Sequence, residues 1–413
     1  MTLVGRAVES ATIGVTRSGA VFFAPRNDST SPPPQNTLHG TEFVVRSRTL
    51  GRTWTALSSG GLTTGGLVPP WMSVDPVTAR VWFLTTLPQL EGARLSWSDD
   101  DGVRWRTNPA VGCRGPGATN CLGEGSEKVL EGPAPRGGAR PHGYPHVVYY
   151  CGNGGIDTQP TTLACYRSLD GGRSFSPIAG LPDPPGRAGA CGVDHVARPG
   201  AAGPNGDLYF PLDLCGDLGI AISRDEGKTW QRKLIARTRI ADLYTTSAAT
   251  DSEGDVYVAW LASTGTAGPG VLERGLPFLT VSRNHGRTWS KPMMVGAAGV
   301  RQALHVAVTA TGPGHVALSY LGARSGASGA AFSGYITESF DALARRPVFW
   351  SAAVNRPSQP LYPGAHAETF GDRLFFISDA FGPDGTPWAA FHCLDEPTCP
   401  GARVGVVARL ARP

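Results

Sequence analysis

Residues 223–230 read SRDEGKTW: a serine, two acids, a glycine, a lysine and a tryptophan in eight positions. Alone, the stretch fits a turn, a metal loop or half an active site. Repetition settles the choice. Aligned on the aromatic residue, the chain gives SRTLGRTW (47–54), SDDDGVRW (98–105), SLDGGRSF (168–175), SRDEGKTW (223–230) and SRNHGRTW (282–289). A worn sixth copy, SFDAL, starts at Ser339. Five copies cannot all be one active site, but five copies of one turn are what a repeat architecture needs. The chemistry agrees. Asp100, Asp170 and Asp225 can accept hydrogen bonds from the backbone N–H groups of their own turn, and Asn284 and Thr49 are local substitutes. The glycine, as Gly227 or Gly286, supplies a positive φ. The aromatic residue, as Trp230 or Trp289, buries a large face between neighbouring sheets.

A second element recurs upstream of each copy: an apolar strand, a turn containing glycine, and another apolar strand. Examples are ATIGVTRSGAVFFAP (11–25), MSVDPVTARVWFL (72–84), SAATDSEGDVYVAWL (247–261) and HVAVTATGPGHVALSYL (305–321). The third unit is irregular, PHVVYYCGNGG (145–155), and there are seven units in all. The pattern Ser-x-Asp-x-Gly-x-Thr/Ser-Trp resembles the Asp-box of sialidases and other Asp-box propellers. That resemblance covers most of the chain, and it implies an all-β fold. The expected architecture is a single β-propeller spanning residues 1–413, built of four-stranded blades, with seven blades expected and six as the alternative. Each blade would run inner strand, second strand, third strand, Asp-box turn, outer strand. The N-terminal segment would supply the strand missing from the last blade, which leaves no free sheet edge.

Composition narrows the class. Gly (55) and Pro (35) exceed a fifth of the 413 residues and are spread throughout, as many tight turns require. Hydrophobic residues make up 41% and charged residues 17%. No apolar run is long enough to span a membrane. The net charge of +4 is mild and the basic residues are scattered, so no nucleic-acid-binding stripe is present. No cofactor motif appears, and no spacing typical of a metal site. The eight cysteines contain no Cys-x-x-Cys spacing, and their even count in close pairs favours disulfides and an oxidising compartment. The expected pairs are Cys113–Cys121, Cys151–Cys165, Cys191–Cys215 and Cys393–Cys399. The start, MTLVGRAVES, is not a signal peptide and reads as a mature chain with an added Met. A secreted or cell-surface monomer is the expectation.

In such a propeller the Asp-box turns share one face. Ligand sites use the other, at the mouth of the central channel where inner strands begin. Candidate catalytic residues gathered there are Glu9, Asp28, His146, Asp194, His195, Tyr244, His305, His366 and Glu368, with Trp71, Tyr362 and Arg373 as candidate substrate contacts. Paired carboxylates across a pocket suit glycoside hydrolysis. A His or Tyr base with an Arg suits a lyase acting on a uronate. The resemblance therefore implies a carbohydrate-active enzyme acting on a glycan or other small extracellular ligand. The alternative is a non-catalytic binding or assembly module. Exo-sialidase activity is a third reading, opposed by one observation. A sialidase opens its first inner strand with Arg-Ile-Pro, and here that place holds Glu9, which would repel a substrate carboxylate.

Overall fold

The computed structural model describes residues 1–4, 8–27, 44–57, 62, 70–86, 93–111, 128–152, 161–182, 199–241, 246–265, 275–327, 329–362, 377–394 and 404–410. These residues form only strands, turns and connecting segments; none is helical, and no helix is long and apolar enough to cross a membrane.

After β1 (Thr2–Val4), strands come in fours. The first sheet holds β2 (Val8–Val15), β3 (Val21–Asn27), β4 (Val45–Ser47) and β5 (Thr55–Ala56). The second holds β6 (Trp71–Val74), β7 (Val81–Thr86), β8 (Ala93–Ser98) and β9 (Arg106–Val111). The third holds β10 (Lys128–Gly132), β11 (Val147–Gly152), β12 (Thr161–Ser168) and β13 (Ser176–Pro182). The fourth holds β14 (Ala201–Ala202), β15 (Leu208–Leu214), β16 (Asp217–Ser223) and β17 (Gln231–Arg239). Then come β18 (Thr246–Thr250), β19 (Val256–Ser263), β20 (Gly275–Ser282) and β21 (Met293–Met294). They join β22 (Gln302–Ala310), β23 (Val316–Ala323), β24 (Ser333–Ser339) and β25 (Trp350–Ala353) in one eight-stranded sheet. The last sheet has β26 (Ser378–Phe381), β27 (Pro387–Cys393) and β28 (Val404–Arg409), with β1 paired on β28.

The molecule is a β-propeller of antiparallel four-stranded blades. The expected seven separate blades, or six, are not found: five four-stranded blades stand apart among the described residues. The cause is one ladder pair, Gly275 with Ala303, through which β20 continues into β22. The third unit also differs from expectation. Its inner strand is β10, and Val147–Gly152 is the second strand. The apolar run around Val147 was the stronger signal, and the five-residue β10 was hidden upstream of the long turn at 133–146.

Buried clusters fill the space between consecutive sheets, for example Trp82 and Trp97 against Tyr150 and Tyr166. One cluster packs Ile13 and Phe23 against Trp388 and Val407, so the first and last sheets are neighbours. Hydroxyl groups tie the inner strands together around the channel. Ser378 Oγ accepts from Ile13 N at 2.8 Å, Ser247 Oγ accepts from Val308 N at 3.2 Å, and Thr250 Oγ1 donates to Ala202 O at 2.9 Å.

The repeated turns share one geometry. Gly51, Gly102, Gly172, Gly227 and Gly286 each donate N–H to the Oγ of the serine four residues back, at 2.8–2.9 Å. Asp100, Asp170, Asp225 and Asn284 each accept a backbone N–H four residues on, at 2.8–2.9 Å. At Ser339 the worn copy keeps the Ser–Asp341 bond at 3.0 Å. Two consecutive residues are left-handed in each of the five turns, such as Glu226 (64°) and Gly227 (82°), where the sequence had pointed only to the glycine. The tryptophans pack across and within blades, Trp105 on Phe22 and Trp230 on Phe210. Glu226, the second acid of SRDEGKTW, is fully buried. It accepts from Arg167 at 2.6 Å, from Ala139 N at 2.9 Å and from Lys228 at 3.0 Å, pinning this turn to the third blade.

Cys151 and Cys165 face each other on β11 and β12 and form the expected disulfide. Cys215 and Cys393 are also disulfide-bonded, and no described cysteine is free. Their expected partners, Cys191 and Cys399, and the pair Cys113–Cys121 lie outside the described residues.

Candidate functional site: the central channel

Strand direction reverses at every turn, so first-to-second and third-to-fourth connections share a side. Two ion pairs show it: Arg80 from the first kind of turn meets Asp99 from the second at 2.5 Å, and Arg224 meets Asp207. Between β2, β6, β22 and β26 lies a cavity of about 890 Å³. It opens on this turn side, among Arg17, Pro76, Gly312 and Pro383. A further cavity of about 230 Å³ continues it inward toward β10, β14 and β18. The two share Trp71, Ser73, Ser378 and Asp379, which makes them one channel. Such a volume suits a small ligand.

Three carboxyl groups line it in two protonation states. Asp75, at the end of β6, is buried, which works against its charge. Contact with His146 Nδ1 at 2.8 Å, a hydrogen bond from Tyr144 and another from Val77 N at 2.7 Å more than compensate. Its pKa falls to about 2. Glu131 on β10 moves the other way. Burial raises its pKa well above the carboxylate range and the charge of Asp75 adds to the effect, while its Oε2 has no hydrogen-bond partner among the described residues. Asp379 on β26 is pushed up to about 8 by burial, against a hydrogen bond from Ser319 Oγ at 3.2 Å. At neutral pH the channel therefore holds one ionised carboxylate, already partnered, and two neutral carboxylic acids that can donate.

Tyr144 is fixed from three sides. It donates to Asp75, exchanges a hydrogen bond with Thr78 Oγ1 at 3.0 Å, and lies under the Arg80 guanidinium at 4.0 Å. Burial and then the Asp75 charge raise its pKa, so it stays a phenol. Arg80 itself is buried among Trp82, Trp97 and Tyr144 and forks onto both oxygens of Asp99.

The expected site residues divide sharply. Trp71 is the first residue of β6, at the mouth opposite the turns, and it lines both cavities. Among the described residues its Nε1 has no partner, and the Nζ of the buried Lys128, the first residue of β10, lies 4.5 Å from its ring centroid. His305 is a buried residue of β22 at a register irregularity, with φ 50°. His146 is misplaced by the sequence reading: with β10 as inner strand, His146, Tyr144 and His142 belong to the first-to-second turn on the other side. Tyr362 is not a substrate contact. It is fully buried in a core cluster, hydrogen-bonded to His392. Glu9 lies in β2 at the irregularity between Val8 and Ser10. Asp28, Asp194, His195, Tyr244, His366, Glu368 and Arg373 lie outside the described residues. The residues not anticipated are Asp75, Lys128, Glu131, His315 and Asp379. For Asp75 a signal existed, since Asp-Pro at the end of an apolar run marks a turn aspartate. Nothing marked Glu131.

No family model matches the chain, and no curated protein does. Solved structures do. An ulvan lyase, a polysaccharide lyase bound to -[GlcA(1-4)Rha3S]-, is similar with a TM-score of 0.50 at 13% identity, covering 94% of this chain and 92% of that one. The fungal lectin from Aleuria aurantia, a six-bladed β-propeller with a fucose recognition mode, gives a TM-score of 0.46 at 12% identity, covering 84% and 97%. A Hadza microbial sialidase gives 0.46 at 17% identity, covering 84% of this chain and 66% of its own. At these identities the likeness speaks for the fold alone.

Proposed function

We propose that the chain is an extracellular, monomeric, carbohydrate-active Asp-box propeller that takes an acidic sugar at the channel mouth opposite the repeated turns. In this reading the sheets form one domain, and the packing of the first sheet against the last supports it. The observation that carries the functional reading is the Trp71–Lys128 pair. An indole face stacks on a sugar ring, its N–H, without a partner among the described residues, is a donor to the same ring, and the Lys128 ammonium buried against the indole adds positive potential that favours a carboxylate. The ulvan lyase ligand carries such a carboxylate on its glucuronate.

Glu9, Asp194, His195, Tyr244, His366 and Glu368, read from the sequence as inner-strand entries, are the proposed source of catalytic groups, together with His305, Asp28, which follows β3 in the chain, and Arg373. Either a hydrolase or a uronate lyase fits those residue types. A binding module without chemistry is the second reading, favoured by the loss of His146 and Tyr362 from the expected set. Exo-sialidase activity is not expected with Glu9 at the start of β2.

The test is a panel of uronate-bearing and sialylated polysaccharides with the oxidised protein, reading reducing ends, unsaturated uronates and binding. Trp71→Ala and Lys128→Met should each weaken binding about tenfold or more, the effect of losing roughly one good stacking or charge contact. Binding that is indifferent to both substitutions removes this reading. Saturable binding without product transfers it to the binding module.

A further inference from the structure

The other end of the channel holds a second arrangement that the acidic-sugar site does not use. In the second blade Arg80, immediately before β7, pairs with Asp99, the residue after the turn serine. In the fourth blade Asp207, immediately before β15, pairs with Arg224 in the same relation. These pairs tie the two turn-side connections of a blade together. In the unit β22–β25 that place falls to His315, before β23, and the residue after the turn serine is Phe340. No ion pair forms between them. The imidazole stacks on Phe340 at 4.6 Å and lies 4.5 Å from Phe381 of the next blade. Its Nε2 meets Glu338 Oε1 at 2.8 Å. A structural tie has become an aromatic slot with a histidine in it, on the wall of the cavity of about 890 Å³.

We propose that the turn-side mouth of the channel is a second ligand site, for a neutral polyhydroxylated ring the size of one hexose, seated in the cavity against Phe381 with His315 at its edge. In the neutral imidazole, Nε2–H donates to the Glu338 carboxylate and Nδ1 is left as an acceptor. Among the described residues Nδ1 has no other partner. Asp379 shares a face of β26 with Phe381, two residues away. Ser319 Oγ donates to its Oδ2 at 3.2 Å, and burial keeps a proton on the carboxyl group, which can then donate. Acceptor, donor and aromatic platform thus converge on one cavity, the combination that a sugar ring with hydroxyl groups and a C–H face requires. The ionisable groups around it are Arg17, Asp75, His315, Asp379 and, deeper, Glu131. Asp75 and Glu338 are already partnered, Asp379 and Glu131 are uncharged at neutral pH, and Arg17 lies exposed at the rim. A wall with no unpaired inner charge selects a neutral ligand over an ion.

The test is a titration with methyl glucopyranoside, methyl galactopyranoside and methyl mannopyranoside, followed by NMR of histidine-labelled protein. One of them should shift the His315 ring signals with a dissociation constant on the order of 1 mM, as expected for so small a ligand. His315→Gln and Phe381→Ala should each weaken binding about tenfold or more. Asp379→Asn replaces the carboxyl group by an amide that cannot ionise. Wild-type affinity should fall as pH rises through about 8 and Asp379 loses its proton, while the Asn variant should not follow. Folding of each variant is checked by its urea midpoint. No His315 shift with any of the three sugars at tens of millimolar overturns the proposal, and so does equal pH dependence in wild type and Asp379→Asn. Shifts of the other histidine rings that disappear with Trp71→Ala but persist with His315→Gln would place the ligand at the opposite mouth. That result would sink this site and leave the acidic-sugar reading standing.

Discussion

Asp75 and Asp100 both have their pKa lowered to about 2, yet neutralising them should cost very different amounts. Asp75 is fully buried. It accepts from Val77 N at 2.7 Å, Thr78 N at 3.2 Å and Tyr144, and it faces His146 Nδ1 at 2.8 Å. Its fall from 3.8 to about 2 is worth about 2.4 kcal/mol in favour of the charged form. Because the folded pKa is depressed, this stability is fully present above the unfolded value and is lost as pH falls through about 2. Asp75→Asn should therefore destabilise by about 2–3 kcal/mol at neutral pH, and Asp75→Ala, which strands buried donors, by about 4 kcal/mol. Asp100 gains its low pKa, against burial, mainly from Arg104, whose side chain is 88% exposed. Solvent screens that pair, so Asp100→Asn should cost less than about 1 kcal/mol. The assay is urea unfolding followed by tryptophan fluorescence, first near neutral pH and then in steps toward about pH 2. The gap between wild type and Asp75→Asn should close on acidification. Equal costs for the two Asn variants, or a gap independent of pH, would refute the reasoning.

Two further outcomes follow from the fold. Gly286→Ala should destabilise by about 2–3 kcal/mol and lower the melting temperature, because φ is 76° and the new Cβ would sit 2.5 Å from Ile222 Cδ1. Gly299→Ala, at φ 85° in open space, should cost only about 1 kcal/mol in the same melting experiment, which separates backbone strain from overlap. Replacing Cys151 and Cys165 together by Ala should lower the urea-derived stability by about 3 kcal/mol, the loop-closure effect for a sequence separation of 14.

How much was legible in the sequence follows the range of the interactions. The Ser-x-Asp-x-Gly turn closes on itself within four residues, so its chemistry is written in consecutive letters and could be read at all five copies. The apolar strands beside it were readable for the same reason, and so was Cys151–Cys165, whose partners sit on adjacent strands of one hairpin. The channel is different. Asp75 owes its charge to Tyr144 and His146, some 70 residues on. Glu226 looked like half an active site until Arg167 and Ala139 of the preceding blade closed around it. Tyr362 reads as a substrate contact in the sequence and is buried against His392 in the structure. His146 was assigned to the wrong mouth because a five-residue inner strand, Lys128–Gly132, carries too little pattern to be seen beside a stronger run. The sequence by itself determined the turn, the repeat and the all-β class, because local hydrogen bonds and alternation specify them. Only the tertiary structure decided which carboxyls are charged, which histidine meets the channel and which mouth each residue serves. Those properties arise from burial and from partners that ring closure brings together across blades.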